Sequence, residues 1–257
     1  GDGRSGDDPV PPRSRVTDNA AVPPPTPEVE AARFVPGAAH TLAPSGGKAR
    51  FDANVAAIRL ARELAAEDRA TTVPEQEVLA QWSSWGAIPD VFDSAKPEWE
   101  AERGELRSLL SETEWAAAAR TTLNAHYTDP MLVKHIWRAL SSLGLDSGQV
   151  LEPGSGLGTF VGLAPDAAQV TGVELDPVTA LISQRLYPHA TIRNESFADT
   201  RIPEAFFDAA VGNVPFGKTT LLDPVHNATK QSMHTHSVTK SLRLTRPGGL
   251  VSVLTSQ

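Results

Sequence analysis

The sequence predicts an α/β fold with a mostly parallel sheet, preceded by a helical region and a proline-rich segment. From residue 129 onward, short apolar segments alternate with segments of helical periodicity, a pattern typical of parallel strands joined by helical crossovers. Residues 1–48 hold many prolines and few large apolar side chains. Such a segment buries too little surface to offset the entropy of ordering it.

We therefore divide the chain into three parts. Residues 1–48 are predicted to be a disordered proline-rich linker, 49–124 a helical region and 125–257 the α/β domain. The chain begins with Gly and ends just after an apolar segment. We expect a piece of a longer protein whose α/β domain is incomplete at its C-terminus; a short native terminus is the alternative.

Composition restricts the class of protein. The 257 residues include no cysteine, which excludes disulfides and thiolate metal sites. No segment approaches the roughly 20 apolar residues of a membrane-spanning helix, so we expect a cytoplasmic protein without a membrane partner. The net charge of −8 argues against a wholly basic surface, although one basic face remains compatible with it.

The helical region carries its own boundary signals. Thr72–Glu75 and Ser111–Glu114 each match the capping-box pattern that opens a helix. Apolar residues recur at helical spacing over residues 50–69. Between these helices lies an aromatic cluster that we interpret as the core of a helical cap packed on the domain that follows: Trp82, Trp85 and Phe92.

Five strands and three long helices are predicted after residue 129. The strands are 149–152, 169–174, 191–194, 207–213 and 250–255, and the helices are about 130–143, 176–186 and 229–244, with a turn at 247–249 before the last strand. In a parallel sheet, ligands bind beyond the carboxyl ends of the strands. The motifs that follow these strands can therefore converge.

The first strand runs into a glycine-rich turn, "VLEPGSGLGTF" (150–160). Its glycines allow a tight turn and close approach of a ligand to the backbone. The dinucleotide-binding fingerprint G-x-G-x-x-G is not met, because its third glycine would fall at position 159, which is Thr159. Glu152, just before the glycines, suits a cationic ligand group; a glycine turn without a ligand is the alternative.

The second and third strands end in further candidate ligand residues. Glu174 lies where an acid can bind two ribose hydroxyls. Phe197 follows the third strand and could lie flat on an adenine ring. A solvated glutamate at a helix start and a buried phenylalanine are the corresponding structural interpretations.

The fourth strand ends in "GNVPFG" (212–217). Asn213 offers a side-chain oxygen, Pro215 stiffens the turn and Phe216 offers an aromatic face, a combination that suits a planar group with hydrogens to donate. Downstream, Lys218, Lys230, Lys240, Arg243 and Arg246 form a basic strip that fits either phosphates or a solvated helix face. The nearby histidines lack the spacing of a metal site.

Together these residues resemble the S-adenosylmethionine-dependent DNA adenine-N6 methyltransferases of the Asn-Pro-Pro-aromatic type. "AHYTDP" (125–130) resembles their upstream cofactor motif, "LEPGSGLGTF" their glycine-rich loop, "GVELDP" their ribose-binding acid and "GNVPFG" their catalytic motif. The resemblance covers about residues 121–257. The upstream helical region is similar to the segment before the methylase in helicase–methyltransferase fusions of phages and mobile elements.

The resemblance implies a Rossmann-like methyltransferase fold, S-adenosylmethionine as cofactor, DNA as substrate and no metal. It also implies that a helicase and a target-recognition region belong to the same parent polypeptide. The implied catalytic residues are Asn213, Val214, Pro215 and Phe216. The implied cofactor residues are Tyr127, Thr128, Glu152, Pro153, Gly154, Gly156, Gly158, Phe160, Glu174, Phe197 and Asn213.

Two departures from the family pattern keep alternatives open. Val214 replaces the first proline of the catalytic motif, and the adenine contact expected beside Phe197 falls to either Glu195 or Ser196. A methyltransferase acting on a protein glutamine side chain, or a scaffold that keeps the fold without catalysis, also fits these residues.

Overall fold

The computed structural model describes residues 33–37, 43–121, 128–215 and 219–255. Its centre is a five-stranded sheet in the order β3-β2-β1-β4-β5. The strands are β1 (Ser147–Pro153), β2 (Ala167–Glu174), β3 (Thr191–Asn194), β4 (Phe207–Asn213) and β5 (Thr245–Leu254). All four neighbouring pairs are parallel. This order is that of a doubly wound, Rossmann-like sheet and confirms the predicted fold class.

Eight α-helices accompany the sheet in the described residues. Four belong to the helical region: α1 (Gly47–Glu67), α2 (Val73–Ala80), α3 (Glu100–Leu109) and α4 (Glu112–Thr121). The other four are α5 (Pro130–Ser142), α6 (Thr159–Leu163), α7 (Pro177–Leu186) and α8 (Met233–Leu244). No helix in these ranges is long and apolar enough to cross a membrane.

The two central strands are buried on both faces. Val150 and Leu151 of β1 and Ala209 and Ala210 of β4 are inaccessible to solvent. Continuous apolar runs are typical of parallel strands covered by helices on each side. The strands therefore hold the centre of the sheet rigid, and their polar ends project from it.

The helical region packs on α7, as the sequence predicts. Thr71 Oγ1 donates to the carbonyl of Arg185 at 2.8 Å, and Trp82 Nε1 donates to Thr179 Oγ1 at 3.1 Å. Within the region, the Trp85 ring lies edge-on to Trp82 and to Phe92, with ring centroids 5.6 Å apart in both pairs. These aromatic residues form core, as interpreted from the sequence.

Both capping boxes form. The carboxylate of Glu75 accepts from the main chain of Thr72 at 2.8 Å, and that of Glu114 accepts from the main chain of Ser111 at 2.8 Å. Each contact satisfies an amide that the helix itself leaves unpaired. The start signals read from the sequence are therefore present where they were predicted.

Two predicted boundaries differ from the structure by more than two residues. Helix α8 begins at Met233 instead of about 229, because Ser232 caps it and the side chain of Asn227 holds the preceding loop through the carbonyls of Leu221 and Gln231. The predicted turn at 247–249 is an irregularity inside β5: Thr245 pairs with Phe207, and Leu250 already pairs with Ala209.

Asn54 is a buried polar residue of α1 whose removal tests the helical region. Its side chain donates to the carbonyl of Ser84 at 2.7 Å and accepts from the main chain of Ser83 at 3.0 Å. We expect Asn54→Ala to lower the free energy of unfolding by about 1–3 kcal/mol, because both backbone groups lose their partner. Urea unfolding measures this loss, and exposed Asp52→Ala on the same helix is the control. Equal stability of the two variants would contradict the assignment.

Candidate active site

A cleft of about 510 Å³ opens beyond the carboxyl ends of β1, β2 and β4, within the size range of small-molecule sites. The sheet order reverses between β1 and β4, which is where such folds bind ligands. The strand ends and the loop after β3 contribute Pro153, Gly154, Val173, Glu174, Glu195, Ser196, Phe197, Asn213, Val214 and Pro215 to its lining.

The glycine-rich loop is fastened to β2. Gly156 N donates to Glu174 Oε2 at 2.8 Å, and Ser155 N donates to the carbonyl of Val173 at 2.9 Å. Gly156 has a φ of 54°, and a Cβ placed on it would meet no atom within 4 Å. The loop therefore leaves open space over its backbone, as a ligand cradle requires.

Both carboxylate oxygens of Glu174 accept hydrogen bonds from main-chain N–H groups. Its Oε1 accepts from Asp176 N at 2.7 Å, beside the Gly156 bond to Oε2. Burial is the main effect on its acidity and, with the hydrogen bonds opposing it only in part, raises the pKa of Glu174 to about 7. The carboxyl is thus fixed at the edge of the cleft by backbone amides.

Glu152 lies directly before the two cleft residues Pro153 and Gly154 and is only 3% exposed. Burial raises its pKa well above the ordinary value; a hydrogen bond from Val161 N works against this, and the charge of Glu174 adds to it. Its Oε2 is buried without a hydrogen-bond partner among the described residues. A buried acceptor in that state gains from a cation or donor that reaches it.

Asn213 has one end of its amide fixed and the other end open. Its Nδ2 donates to Thr128 Oγ1 at 3.2 Å, whereas its Oδ1 is buried and has no partner among the described residues. The next residue, Val214, donates its N–H to the carbonyl of Leu254 at 3.3 Å. The contact with Thr128 orients the amide, so that its oxygen remains available as an acceptor.

The structure brings most of the predicted site residues together. Pro153, Gly154, Glu174, Phe197, Asn213, Val214 and Pro215 line the cleft, together with both candidates for the adenine contact, Glu195 and Ser196. Four other predicted residues are not among the lining residues: Thr128, Glu152, Gly156 and Gly158. Of these, Thr128 is hydrogen-bonded to Asn213 and Gly156 to Glu174. Tyr127 and Phe216 lie outside the described residues.

The assignment of Phe160 to the cofactor site is corrected by the structure. Its side chain is buried in the hydrophobic core, and its carbonyl accepts from Trp137 Nε1 at 3.1 Å. It follows the glycine loop as the second residue of α6, where an inward-facing position packs the helix on its neighbours. We therefore assign its side chain no ligand contact.

The predicted basic strip is corrected as well. Lys240 is fully buried and is paired with Asp223, and Arg246 is paired with Asp208 at 2.7 Å. Lys218 lies outside the described residues, whereas Lys230 and Arg243 are exposed. Charge alone could not reveal these pairings, because each joins residues from separate structural elements.

Some cleft residues were missed by the sequence analysis. Ser84, Ala117 and Arg120 reach the cleft from the helical region, and Thr219, Leu221, Met233 and Ser237 reach it from the segment after β4. None belongs to a motif, so only the packing of the helical region on α7 brings the first set into place. In the described ranges, no group of three or more His, Asp and Glu side chains is arranged to hold a metal ion.

No protein-family model matches the chain. No curated protein matches it either.

Solved structures with a similar fold include several methyltransferases. A candidate class I S-adenosylmethionine-dependent methyltransferase of Listeria monocytogenes matches over 80% of this chain and 73% of its own, with 13% identity and a TM-score of 0.43. A candidate S-adenosyl-L-methionine-dependent methyltransferase of Methanococcus maripaludis matches over 48% and 54%, with 15% identity and a TM-score of 0.34.

A candidate RNA methyltransferase of Pyrococcus horikoshii matches over 51% of this chain and 64% of its own, with 14% identity and a TM-score of 0.37. The chain thus spans 54% and 64% of the lengths of the Methanococcus and Pyrococcus proteins. Likenesses at this level assign neither a substrate nor a cofactor to this chain.

Two glycines of the loop are expected to respond differently to substitution. A Cβ on Gly158 would lie 2.7 Å from the Tyr187 ring, and φ is 89° there. We expect Gly158→Ala to lower the free energy of unfolding by about 1–3 kcal/mol through overpacking, in addition to the backbone strain of about 1–2 kcal/mol that Gly156→Ala shares. Urea unfolding of both variants measures the difference, and equal losses would contradict the close contact with Tyr187.

Proposed function

We propose that this chain transfers a methyl group from S-adenosylmethionine to the exocyclic N6 of a flipped adenine in DNA. The observation that carries the proposal is the Oδ1 of Asn213, which has no hydrogen-bond partner in the described part of the chain and is held in a cleft beside Val214 by the hydrogen bond to Thr128. An amide oxygen and an adjacent main-chain carbonyl are two acceptors for the two hydrogens of one NH₂ group.

The residues of the cleft fit the cofactor. The open backbone at Gly156 can admit its methionine end, the buried Glu152 Oε2 can accept from its ammonium group, and Glu174 can accept from its ribose hydroxyls. Phe197 lines the cleft after β3, where it can pack on the adenine ring. S-adenosylmethionine supplies an electrophilic methyl group on a sulfonium sulfur.

Asn213 and Val214 act on the nucleophile in this proposal. The lone pair of an aromatic amine is delocalised into its ring, so the nitrogen attacks poorly. Two acceptors directed at its hydrogens favour the pyramidal nitrogen and stabilise the positive charge that develops on it. The amine nitrogen would form its bond to the methyl carbon as the bond from that carbon to sulfur breaks, with S-adenosylhomocysteine as the leaving group. The methylated amine would then lose one proton to water, and no metal or covalent enzyme intermediate is required.

The two motifs are close enough to act on one reaction. A Cβ on Gly154 would lie 3.4 Å from Pro215 Cδ, so the glycine-rich loop and the catalytic loop are in near contact. A methyl donor held by the first loop is therefore adjacent to an amine held by the second. Such proximity can supply a large part of the rate enhancement of a one-step transfer.

DNA as partner is supported by the order of the motifs and their resemblance to the adenine-N6 family. A flipped adenine presents a planar ring with an NH₂ group, which is the shape that the Asn213 pair can bind. We also propose that a helicase and a target-recognition region in the same parent polypeptide would deliver the DNA strand.

Asn213→Ala tests the catalytic role. We expect kcat to fall about 10²–10³-fold, as for loss of one preorganised transition-state contact, while affinity for S-adenosylhomocysteine stays within twofold. Thr128→Val, which removes only the group that orients the amide, should cost less. Tritium transfer from labelled cofactor measures the rate and calorimetry measures the affinity. Parallel loss of both quantities would contradict a role in transfer.

The acceptor is tested in the same assay. Mixed-sequence single-stranded and duplex DNA should take up label, whereas DNA whose adenines already carry N6-methyl groups should not. Label on glutamine-containing peptides alone would favour the protein-glutamine alternative. Cofactor binding without transfer to any acceptor would favour a scaffold and overturn the enzymatic proposal for this chain.

Glu152 is expected to couple cofactor binding to pH. Its pKa is raised by burial, so the carboxyl is largely protonated below that pKa, whereas a bound ammonium group favours its ionised form. Binding should therefore release a proton, and affinity should rise with pH until the raised pKa is passed. Calorimetry in buffers of different ionisation enthalpy counts the proton. Glu152→Gln should abolish that release, and an unchanged count would contradict the contact.

A further inference from the structure

A fully buried cluster of ionisable side chains lies next to the cleft and takes no part in the proposed chemistry. It consists of Asp223 in the loop before α8 and of His236 and Lys240 on α8, none more than 1% exposed. Buried charges are costly unless they are paired and hydrogen-bonded. The cluster therefore calls for a role that surface charges cannot fill.

Lys240 joins the cluster to the loop that follows β3. Its Nζ donates to the carbonyls of Phe197 at 2.6 Å and Thr200 at 3.1 Å, lies 3.3 Å from that of Ala198, and donates to Asp223 Oδ2 at 2.8 Å. The ammonium group has only three hydrogens, so all of them are engaged. Lys240 thus cannot contact a phosphate, and its bonds fix the backbone on either side of Phe197.

Asp223 joins the cluster to the loop that follows the catalytic motif. Its Oδ1 accepts from the main-chain N–H groups of Val225 at 3.2 Å and His226 at 3.1 Å, while Oδ2 receives Lys240 and lies 3.0 Å from His236 Nε2. Burial alone would raise the pKa of Asp223, but the hydrogen bonds from Lys240 and His236 outweigh it and lower that pKa. The carboxylate stays charged and holds the loop at neutral pH.

The two loops that meet at this cluster both line the cleft. Phe197 lines it in one loop, and Thr219 and Leu221 line it in the other. The aromatic ring of Phe197 is itself held by the cluster: Lys240 Nζ is 5.0 Å from its centroid, and the His236 ring is 6.0 Å away. The second loop is closed at its base by the bond from Met233 N to the carbonyl of Thr219, 2.7 Å long.

We propose that Lys240 and Asp223 are positioning residues that link two loops: residues 195–200, which would contact the adenine of the cofactor, and residues 219–232, which follow the catalytic motif. The link fixes the positions of these two walls of the cleft relative to each other. This inference rests on the proposed function for the identity of the ligand. The two residues touch no reacting atom; they act through Phe197 and through the loop beside the catalytic motif.

The first experiment measures affinity in three variants of the full chain. Lys240→Met should weaken binding of S-adenosylhomocysteine and of its fragment 5′-methylthioadenosine by about tenfold each, because the wall that it supports faces the adenosine part. Glu152→Gln should weaken only the first ligand, whose methionine end it would contact. Lys96→Met removes one charge from an exposed pair with Asp90 and is the matched control.

A double variant separates loss of this contact from unfolding caused by an unpaired buried charge. Lys240→Met leaves Asp223 ionised and buried, whereas the double variant Lys240→Met/Asp223→Asn removes both charges and keeps an acceptor for the loop amides. Circular dichroism at the assay temperature establishes that each variant is folded. A folded double variant that binds both ligands as the wild type does would overturn the proposal, and a tenfold loss for both ligands supports it.

Hydrogen exchange tests the link between the two loops in the absence of ligand. It can therefore show whether the link is wrong independently of whether the proposed function is wrong. In Asp223→Asn, peptides covering 195–200 should exchange several-fold faster along with those covering 219–232, although the substitution lies only in the second segment. Faster exchange confined to 219–232 would overturn the link. If the wild-type protein binds neither ligand while Asp223→Asn shows faster exchange in both segments, the cofactor is refuted and the link between the two loops is supported.

Discussion

The parallel pairing of β1 with β2 on one side and β4 on the other is the constraint on which the rest of the molecule depends. Parallel strands need crossovers, so every strand finishes at the same edge of the sheet. That single consequence brings Glu152, Glu174 and Asn213 to the same edge of the sheet, although they are far apart in sequence. The apolar centre makes this placement rigid, and the loops supply the chemistry.

Several buried polar atoms around the cleft lack hydrogen-bond partners among the described residues, which lowers the stability of the fold. Glu152 Oε2, Asp176 Oδ1 and Asn213 Oδ1 are all buried without hydrogen bonds among the described residues, and unsatisfied groups of this kind cost about 1–3 kcal/mol each. By contrast, every hydrogen of the Lys240 ammonium group is engaged. The Lys240 ammonium group is thus fully paired, whereas these three oxygens are not paired within the described ranges.

The strands and their motifs could be predicted from the sequence, because they depend on local patterns. The bounds of β4 are those expected, and Glu174 ends β2 as predicted. The burial of Lys240 could not be predicted, since it depends on Asp223 meeting it across a loop. Phe160 was misassigned because a motif indicates the path of the backbone and not the direction of each side chain. Ser84 and Arg120 belong to no motif at all.

The presence of Ser84, Ala117 and Arg120 in the lining has a consequence for how this module can be inherited. A recombination junction at residue 125, where the motifs begin, would transfer the sheet without one side of its cleft. It would also strip the cover from α7, where Trp82 bonds to Thr179. The smallest unit that can be exchanged between proteins with its cleft complete therefore starts upstream of α1, and the helices must travel with the motifs that they enclose.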